Sequence, residues 1–305
     1  MMRRLLTVLL MVLSAGACGG TVSASTTASN NAYHVITTTS IFADLAKMAL
    51  GDAAHIESIV PAGIDVHTFQ PSPSDVAKIQ SADLIIANGL GLDGWIDALV
   101  DAAGKGDADT LLLGEGLDQE SGWVYLSNAE TSDAFDPHIW LDPKGAALYI
   151  QRIADRVSND APNLVQRIAV SSADGIKELD IIDQKLAVAF AAIDAARRKI
   201  VTMHDAFGYF ARAYDIKIVG VAVASPGQDP SAQEIRALID AIRTAGVTAL
   251  FSEVQLPSKV LDQIAAETGT TVLQDLYSDA LGASPADSYL GVMQINADAI
   301  LGAMR

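Results

Sequence analysis

Residues 163–193 read NLVQRIAVSSADGIKELDIIDQKLAVAFAAI. Leu179, Ile182, Leu186 and Phe190 recur at helical spacing, which predicts one uninterrupted helix. About thirty residues at 1.5 Å each make a rod of roughly 45 Å. Pro162 closes the punctuation Asn159-Asp160-Ala161-Pro162 and suits a first helical turn. Gly175 is the weak point, since glycine is a poor helix former. On either side the chain changes character. Upstream, the apolar runs VITTTS, HIESIVP, DLIIANGL and TLLLGEG alternate with the amphipathic stretches FADLAKMALG, SPSDVAKIQSA and GWIDALVDAAG. Downstream, KIVTMHD, IKIVGVAV, VTALFSEV and TVLQDLY alternate with AFGYFARAYD, SAQEIRALIDAIRTAG and SKVLDQIAAETG, and YLGVMQINADAILGAM closes the chain. Such alternation marks βα units and parallel strands. The predicted fold is α/β: two lobes, each with a mostly parallel sheet flanked by helices, joined by one long rigid helix. The boundaries are 33–160 for the first lobe, 161–195 for the connecting helix and 196–305 for the second lobe. Residues 116–136 break the rhythm and read as a long loop with a short strand at WVYLS.

The first residues read as a processing segment. Arg3 and Arg4 precede an apolar run, Leu5 to Leu13, that is too short to span a bilayer, and the small residues of SAGAC follow. Residues 1–18 are therefore expected to be a signal peptide. Cys18 stands where a bacterial lipoprotein is cut and lipidated, although Ala15 replaces the usual larger aliphatic residue. Ordinary secretion with a cut a few residues later is the alternative. Residues 19–32, small and polar, read as a flexible tether. Both readings put the mature protein in the periplasm or otherwise outside the inner membrane. Cys18 is the single cysteine, so no internal disulfide forms. A net charge of −17 argues against nucleic acid or an acidic membrane surface as partner.

The chain holds five histidines, and three lie in segments that look built to hold something. They are His67 in GIDVHTFQPSPSD, His138 in FDPHIWLDP and His204 in VTMHDAFGYFARAY; Asp279 follows in LYSDALG. Imidazole with carboxylate is the donor set preferred by zinc and its neighbours. Ligands of open α/β sheets gather beyond the carboxyl ends of strands. Each of the four residues falls near such an end or in a loop beside it, two from each lobe, so a site between lobes collects them all. Each also has a plainer reading. His67 is then a loop residue bonded to backbone, His138 a turn residue, and His204 the start of a helix with Asp205 as its cap. Asp279 competes with Asp275 and Glu253, which also end strands. Asp136 and Asp142 are candidate acceptors that fix an imidazole tautomer. His34 and His55, at strand starts, read as surface residues.

The segments GIDVHTFQPSPSD, DPHIWLDP, HDAFGYFARAY and LYSDALG, in this order, resemble the signature segments of the metal-specific solute-binding proteins of ABC importers. The similarity runs from about His34 to the C-terminus. It implies a fold of two α/β lobes tied by a long helix, and capture of Zn²⁺ or Mn²⁺ outside the inner membrane rather than enzymatic catalysis. Matched motif by motif, it implies His67, His138, His204 and Asp279 as metal ligands. The implied partner is an ABC permease in the inner membrane, energised by a separate ATPase. A periplasmic metallochaperone is a further expected partner, and the protein is expected to act as a monomer. Many zinc-specific members carry a histidine-rich loop before the second ligand. Here residues 116–136 hold Asp118, Glu120, Glu130 and Asp133 but no histidine. Manganese members replace the third histidine by glutamate, whereas this chain keeps His204. Three imidazoles and one carboxylate suit zinc; manganese prefers more oxygen. Zn²⁺ is therefore the expected cargo, with Mn²⁺ as the alternative. From a different class, a zinc-dependent hydrolase with Glu253 or Asp205 as base is the rival; it needs an open coordination position. A surface adhesin on the same fold is a third reading.

Overall fold

A computed structural model describes residues 33–127 and 135–305. The proposed signal peptide, Cys18, the tether, Glu130 and Asp133 lie outside the described residues. No described helix is long and apolar enough to cross a membrane.

The first half of the chain runs β1 (Tyr33–Thr37), α1 (Ser40–Leu50), β2 (Ala54–Ser58), α2 (Pro73–Ser81), β3 (Leu84–Ala87), α3 (Ile96–Ala102), β4 (Thr110–Leu112) and a short α4 (Leu117–Ser121). Two helices follow, α5 (Pro143–Asp160) and α6 (Val165–Ala191). The second half runs β5 (Lys199–His204), α7 (Gly208–Ala213), β6 (Lys217–Val223), α8 (Ala232–Ala245), β7 (Ala249–Glu253), α9 (Lys259–Thr268), β8 (Thr271–Leu276) and α10 (Tyr289–Met304). Two four-stranded sheets result, ordered β2-β1-β3-β4 and β6-β5-β7-β8, and every strand pair is parallel. The same order recurs in both lobes. In each, the chain leaves the first strand toward one edge and returns to its other side, which opens a crevice at the carboxyl ends of β1/β3 and of β5/β7.

Central strands such as β3 are buried along their whole length, which is why they read as unbroken apolar runs. Helix starts follow local chemistry. Ser72 and Asp75 form a reciprocal capping box on α2, with Pro73 in its first turn. Ser231 and Glu234 repeat the device on α8, which stops at Gly246 in the left-handed conformation, φ 68°. Asp142 caps α5 by accepting from the Lys144 amide at 2.9 Å.

Helix α6 buries Ile168, Ser172, Gly175, Leu179, Ile182, Leu186 and Phe190, one stripe along 27 residues. Gly175 is not a weak point. A Cβ there would lie 3.0 Å from the carbonyl oxygen of Met48 and 3.1 Å from its Cβ, so glycine lets α6 approach α1 closely. The helix is thus packed along the first lobe and ends with Phe190 against Phe210 and Tyr214 of the second. One continuous apolar cluster joins Val35 and Leu84 beneath the first sheet, Leu179 and Phe190 of α6, and Ile200, Phe251 and Leu276 of the second sheet. Smaller clusters fill the outer face of each sheet. The region 116–136 is not wholly loop: it contains α4, and in place of a strand at WVYLS there is a single antiparallel bridge between Ser127 and Phe135.

Candidate metal centre

His204 is the last residue of β5 and fully buried. Its neighbour across the sheet is Glu253, the last residue of β7, because Thr202 pairs with Phe251 two residues earlier. Glu253 Oε1 lies 2.8 Å from His204 Nδ1, and both side chains are completely buried. A carboxylate beside Nδ1 keeps a proton there and leaves Nε2, facing outward from the sheet, as the atom that can bind a metal once its own proton has left.

His138 precedes a 3₁₀ turn, Ile139–Leu141, that leads into α5. Asp136 Oδ1 accepts from both the His138 backbone amide (3.0 Å) and its Nδ1 (2.8 Å), so the ring is fixed in the same tautomer. Asp136 is held in turn by the Tyr209 hydroxyl, which donates to its carbonyl at 3.0 Å. Gly208 makes room for this carboxylate: a Cβ there would stand 2.6 Å from Asp136 Oδ2. His67 sits in the loop after β2. Asp65 accepts from the His67 amide at 3.3 Å and from the Thr68 amide at 3.0 Å, and Trp95 Nε1 donates to the Val66 carbonyl at 3.1 Å. Asp279 lies just beyond β8, and Oδ2 accepts from Ser278 Oγ at 3.0 Å. The first lobe helps to place it, since Trp140 Nε1 donates to the Ser278 carbonyl at 2.8 Å.

These four side chains converge. Asp279 Oδ1 is 3.5 Å from His138 Nε2, and Oδ2 is 3.6 Å from His204 Nε2 and 3.7 Å from His67 Nε2. The Nε2 atoms of His138 and His204 are 3.4 Å apart. His67 Nε2 and Asp279 Oδ1 are buried without a hydrogen-bond partner in the protein. Ligand bonds of about 2.0–2.1 Å at tetrahedral angles put neighbouring donors roughly 3.3–3.4 Å apart. The observed spacings are long for hydrogen bonds and close to that edge length.

The electrostatics are unequal. Burial holds His67 below the ordinary histidine range and His138 far below it, with Asp279 opposing in both cases. Burial also pulls His204 down, but Glu253 and Asp279 outweigh it, and this ring is pushed up to about 9. Asp136 is pushed up to about 7 by burial, against the bond from the His138 amide.

All four residues expected from sequence therefore meet in one cluster. The competing carboxylates do not join it. Glu253 holds the far side of the His204 ring, and Asp275 is exposed. Of the two expected acceptors, Asp136 meets His138 while Asp142 caps α5 and faces Arg212 at 3.6 Å. Asp205 does not cap α7, which begins at Gly208. Sequence reading missed Asp65. Its signal was present: Asp65-Val66-His67 repeats the spacing of Asp136-Pro137-His138.

A fold of two parallel sheets with a buried three-imidazole, one-carboxylate cluster between them defines a metal-binding protein of the solute-capturing class. The family model for the zinc-uptake complex component A, periplasmic (ZnuA), matches residues 35–303, and the chain belongs to this family. It is 31% identical, over 87% of each chain, to the metal ABC transporter substrate-binding lipoprotein FimA of Streptococcus parasanguinis. It is 29% identical, over 87% of each chain, to the manganese ABC transporter substrate-binding lipoprotein PsaA of Streptococcus mitis. The periplasmic zinc-binding protein TroA of Treponema pallidum superposes with a TM-score of 0.80 at 26% identity, covering 89% of this chain and 98% of that one. These are solute-binding proteins and not enzymes, which sets the hydrolase reading aside.

Proposed function

We propose that this chain captures Zn²⁺ with His67, His138, His204 and Asp279 and delivers it to the permease of an ABC importer. The observation that carries the proposal is the spacing of the four donors, 3.4 to 3.7 Å, with His67 Nε2 and Asp279 Oδ1 left without any other partner. Three imidazole nitrogens, neutral once zinc has displaced the His204 proton, and one carboxylate oxygen in a mostly buried pocket favour zinc over manganese. The rival cargo is Mn²⁺, named for one of the relatives. The lipid anchor at Cys18, action as a monomer outside the inner membrane, and loading by a metallochaperone belong to the same proposal.

Release proceeds by local movement rather than wide hinge closure. The continuous apolar cluster and the packed α6 support this, since a hinge would expose that surface to water. The proposed moving part is the segment around Gly227, φ 83°, whose Cβ position lies 3.0 Å from Thr68 beside His67. Equal hydrogen-exchange protection of this segment with and without metal would count against it.

The test is the metal content of purified protein after competition between Zn²⁺ and Mn²⁺, read by mass spectrometry. Zinc is expected to win, and His204→Glu is expected to move the preference toward manganese. An unchanged zinc preference in that variant overturns the nitrogen-count reasoning. A growth defect under zinc limitation on loss of the protein separates uptake from an adhesin role.

A further inference from the structure

The strand pairing that builds the first sheet also builds a second donor cluster. Register places His34 of β1 opposite His55 of β2, and Glu57, two residues further along β2, projects to the same face. The two rings stack with centroids 5.2 Å apart. This lies at the amino ends of the strands, away from the carboxyl-end crevice that holds Asp279 and its partners.

The hydrogen bonding fixes one of these donors. His34 Nδ1 is 3.1 Å from the Ser81 carbonyl, which only accepts, so Nδ1 donates and Nε2 is the ring atom left to bind a cation. That Nε2 is buried, lacks a hydrogen-bond partner and faces Glu57 Oε1 at 3.7 Å. His55 Nε2 is hydrogen-bonded to the same oxygen at 2.8 Å. A ring nitrogen facing an anionic oxygen at this distance calls for a proton or a metal ion between them. The His34 separation is longer than a hydrogen bond, and a cation that enters the cluster takes the place of the proton between His55 and Glu57. Lys78, the nearby ammonium group that acts on Glu57, is already engaged with Asp75 at 3.3 Å. Side-chain exposure rises from 19% for His34 to 43% for Glu57 and 61% for His55, so one donor is anchored, two adjust, and the remaining positions open to water.

We propose that His34, His55 and Glu57 form a second metal site, solvent-open and weaker than the cleft, for a borderline divalent cation of the zinc type. Two imidazoles with one carboxylate select such ions over calcium or magnesium, which take oxygen donors. The site stands independently of the cleft's role.

Zinc titration of the full chain, followed by native mass spectrometry and calorimetry, tests it. The wild type is expected to take two Zn²⁺. His55→Ala and Glu57→Gln, both at solvent-exposed positions, are expected to keep the tighter equivalent and weaken the second by at least about tenfold. His204→Ala is expected to lose the tighter equivalent and keep the weaker one. The Nε2 resonance of His34 is expected to shift only in the second phase of the titration. Absence of a second equivalent up to millimolar zinc overturns the proposal. So does a second equivalent that both rim variants leave unchanged, which would be an adventitious ion only. Loss of the tight phase alone would sink the cleft assignment and spare this one.

Discussion

The two lobes repeat one strand order, β2-β1-β3-β4 and β6-β5-β7-β8, yet they deliver their donors differently. The first lobe presents His67 and His138 from loops, each behind an aspartate two residues earlier in the chain. The second presents His204 from the end of a strand, backed by Glu253 from the neighbouring strand. One arrangement is local in sequence and rests on turns; the other is non-local and rests on sheet register. The charge follows the same division. The loop rings are held neutral by burial, and the strand ring is held charged, up to about 9, by the carboxylates beside it. The lesson is that the second lobe supplies the rigid, electrostatically primed half of the site and the first supplies the half that adapts.

Removing a donor from the rigid half should have the largest effect. Asp279→Ala leaves three imidazoles with no anion to offset the cation, and His204→Ala leaves buried Glu253 without its partner. Calorimetry is expected to report zinc affinity lowered by more than about a hundredfold for either, since even outer partners of a metal ligand are worth roughly 10–100-fold. His67→Ala should lose less, because this ring is the most exposed of the three, 12% against 3% and 0%, and water can replace it. Equal losses at His67 and His204 would break the distinction between the halves.

Exchanging the carboxylates that hold the rings sharpens the comparison. Glu253→Gln removes an anion at 2.8 Å from His204, and Asp136→Asn removes one at 2.8 Å from His138. Above pH 9, where no proton competes at His204, each is expected to lower zinc affinity by roughly 10–100-fold. Near neutral pH the Glu253→Gln loss is partly offset, because the proton that zinc displaces from His204 is then held less tightly.

The two kinds of support also explain what was legible beforehand. Strands buried on both faces stand out as apolar runs, and the α6 stripe at Leu179, Ile182, Leu186 and Phe190 is periodic, so the fold class could be read from one dimension. The donors could be read as well, because histidine is scarce and falls at strand ends. What could not be read depends on neighbours distant in sequence. Whether Glu253 is a ligand or the support of one is decided by β5 lying beside β7. Whether Gly175 weakens α6 or admits Met48 is decided by where α1 packs. His34 looked like a surface residue, but its side chain is only 19% exposed, because Ser81 at the end of α2 lies over it.

The charge difference between the lobes predicts an unusual pH profile. Without metal, His204 holds its proton up to about 9, so zinc must displace it at neutral pH. Affinity should therefore rise about tenfold per pH unit from roughly 7 to 9 and then flatten, with about one proton released per zinc near pH 7. His67 and His138, held below the ordinary 6.5, add nothing over that range. The sign reverses for the metal-free fold. A raised His204 contributes stability that is complete below its unfolded value near 6.5 and lost as pH climbs through about 9. Thermal denaturation should then show zinc stabilising the protein more at pH 9 than at pH 7. Glu253→Gln should shift the steep region to lower pH, and an unshifted profile would locate the proton elsewhere.

The smallest effect concerns the helix that both lobes share. Gly175→Ala improves intrinsic helix propensity by about 1 kcal/mol, yet the added methyl meets the Met48 carbonyl oxygen at 3.0 Å, and backbone yields less readily than a side chain. Overpacking of this kind costs about 1–3 kcal/mol, so a net loss on the order of 1 kcal/mol is expected, read as a midpoint shift in denaturant. Zinc affinity should stay unchanged, because the added methyl presses on Met48 and not on any of the four donors. If the variant is instead stabilised, α6 has slack against the first lobe, and the long helix is free to tilt when metal is exchanged. Such slack would assign the adaptable half of the site to lobe movement rather than to the His67 and His138 loops.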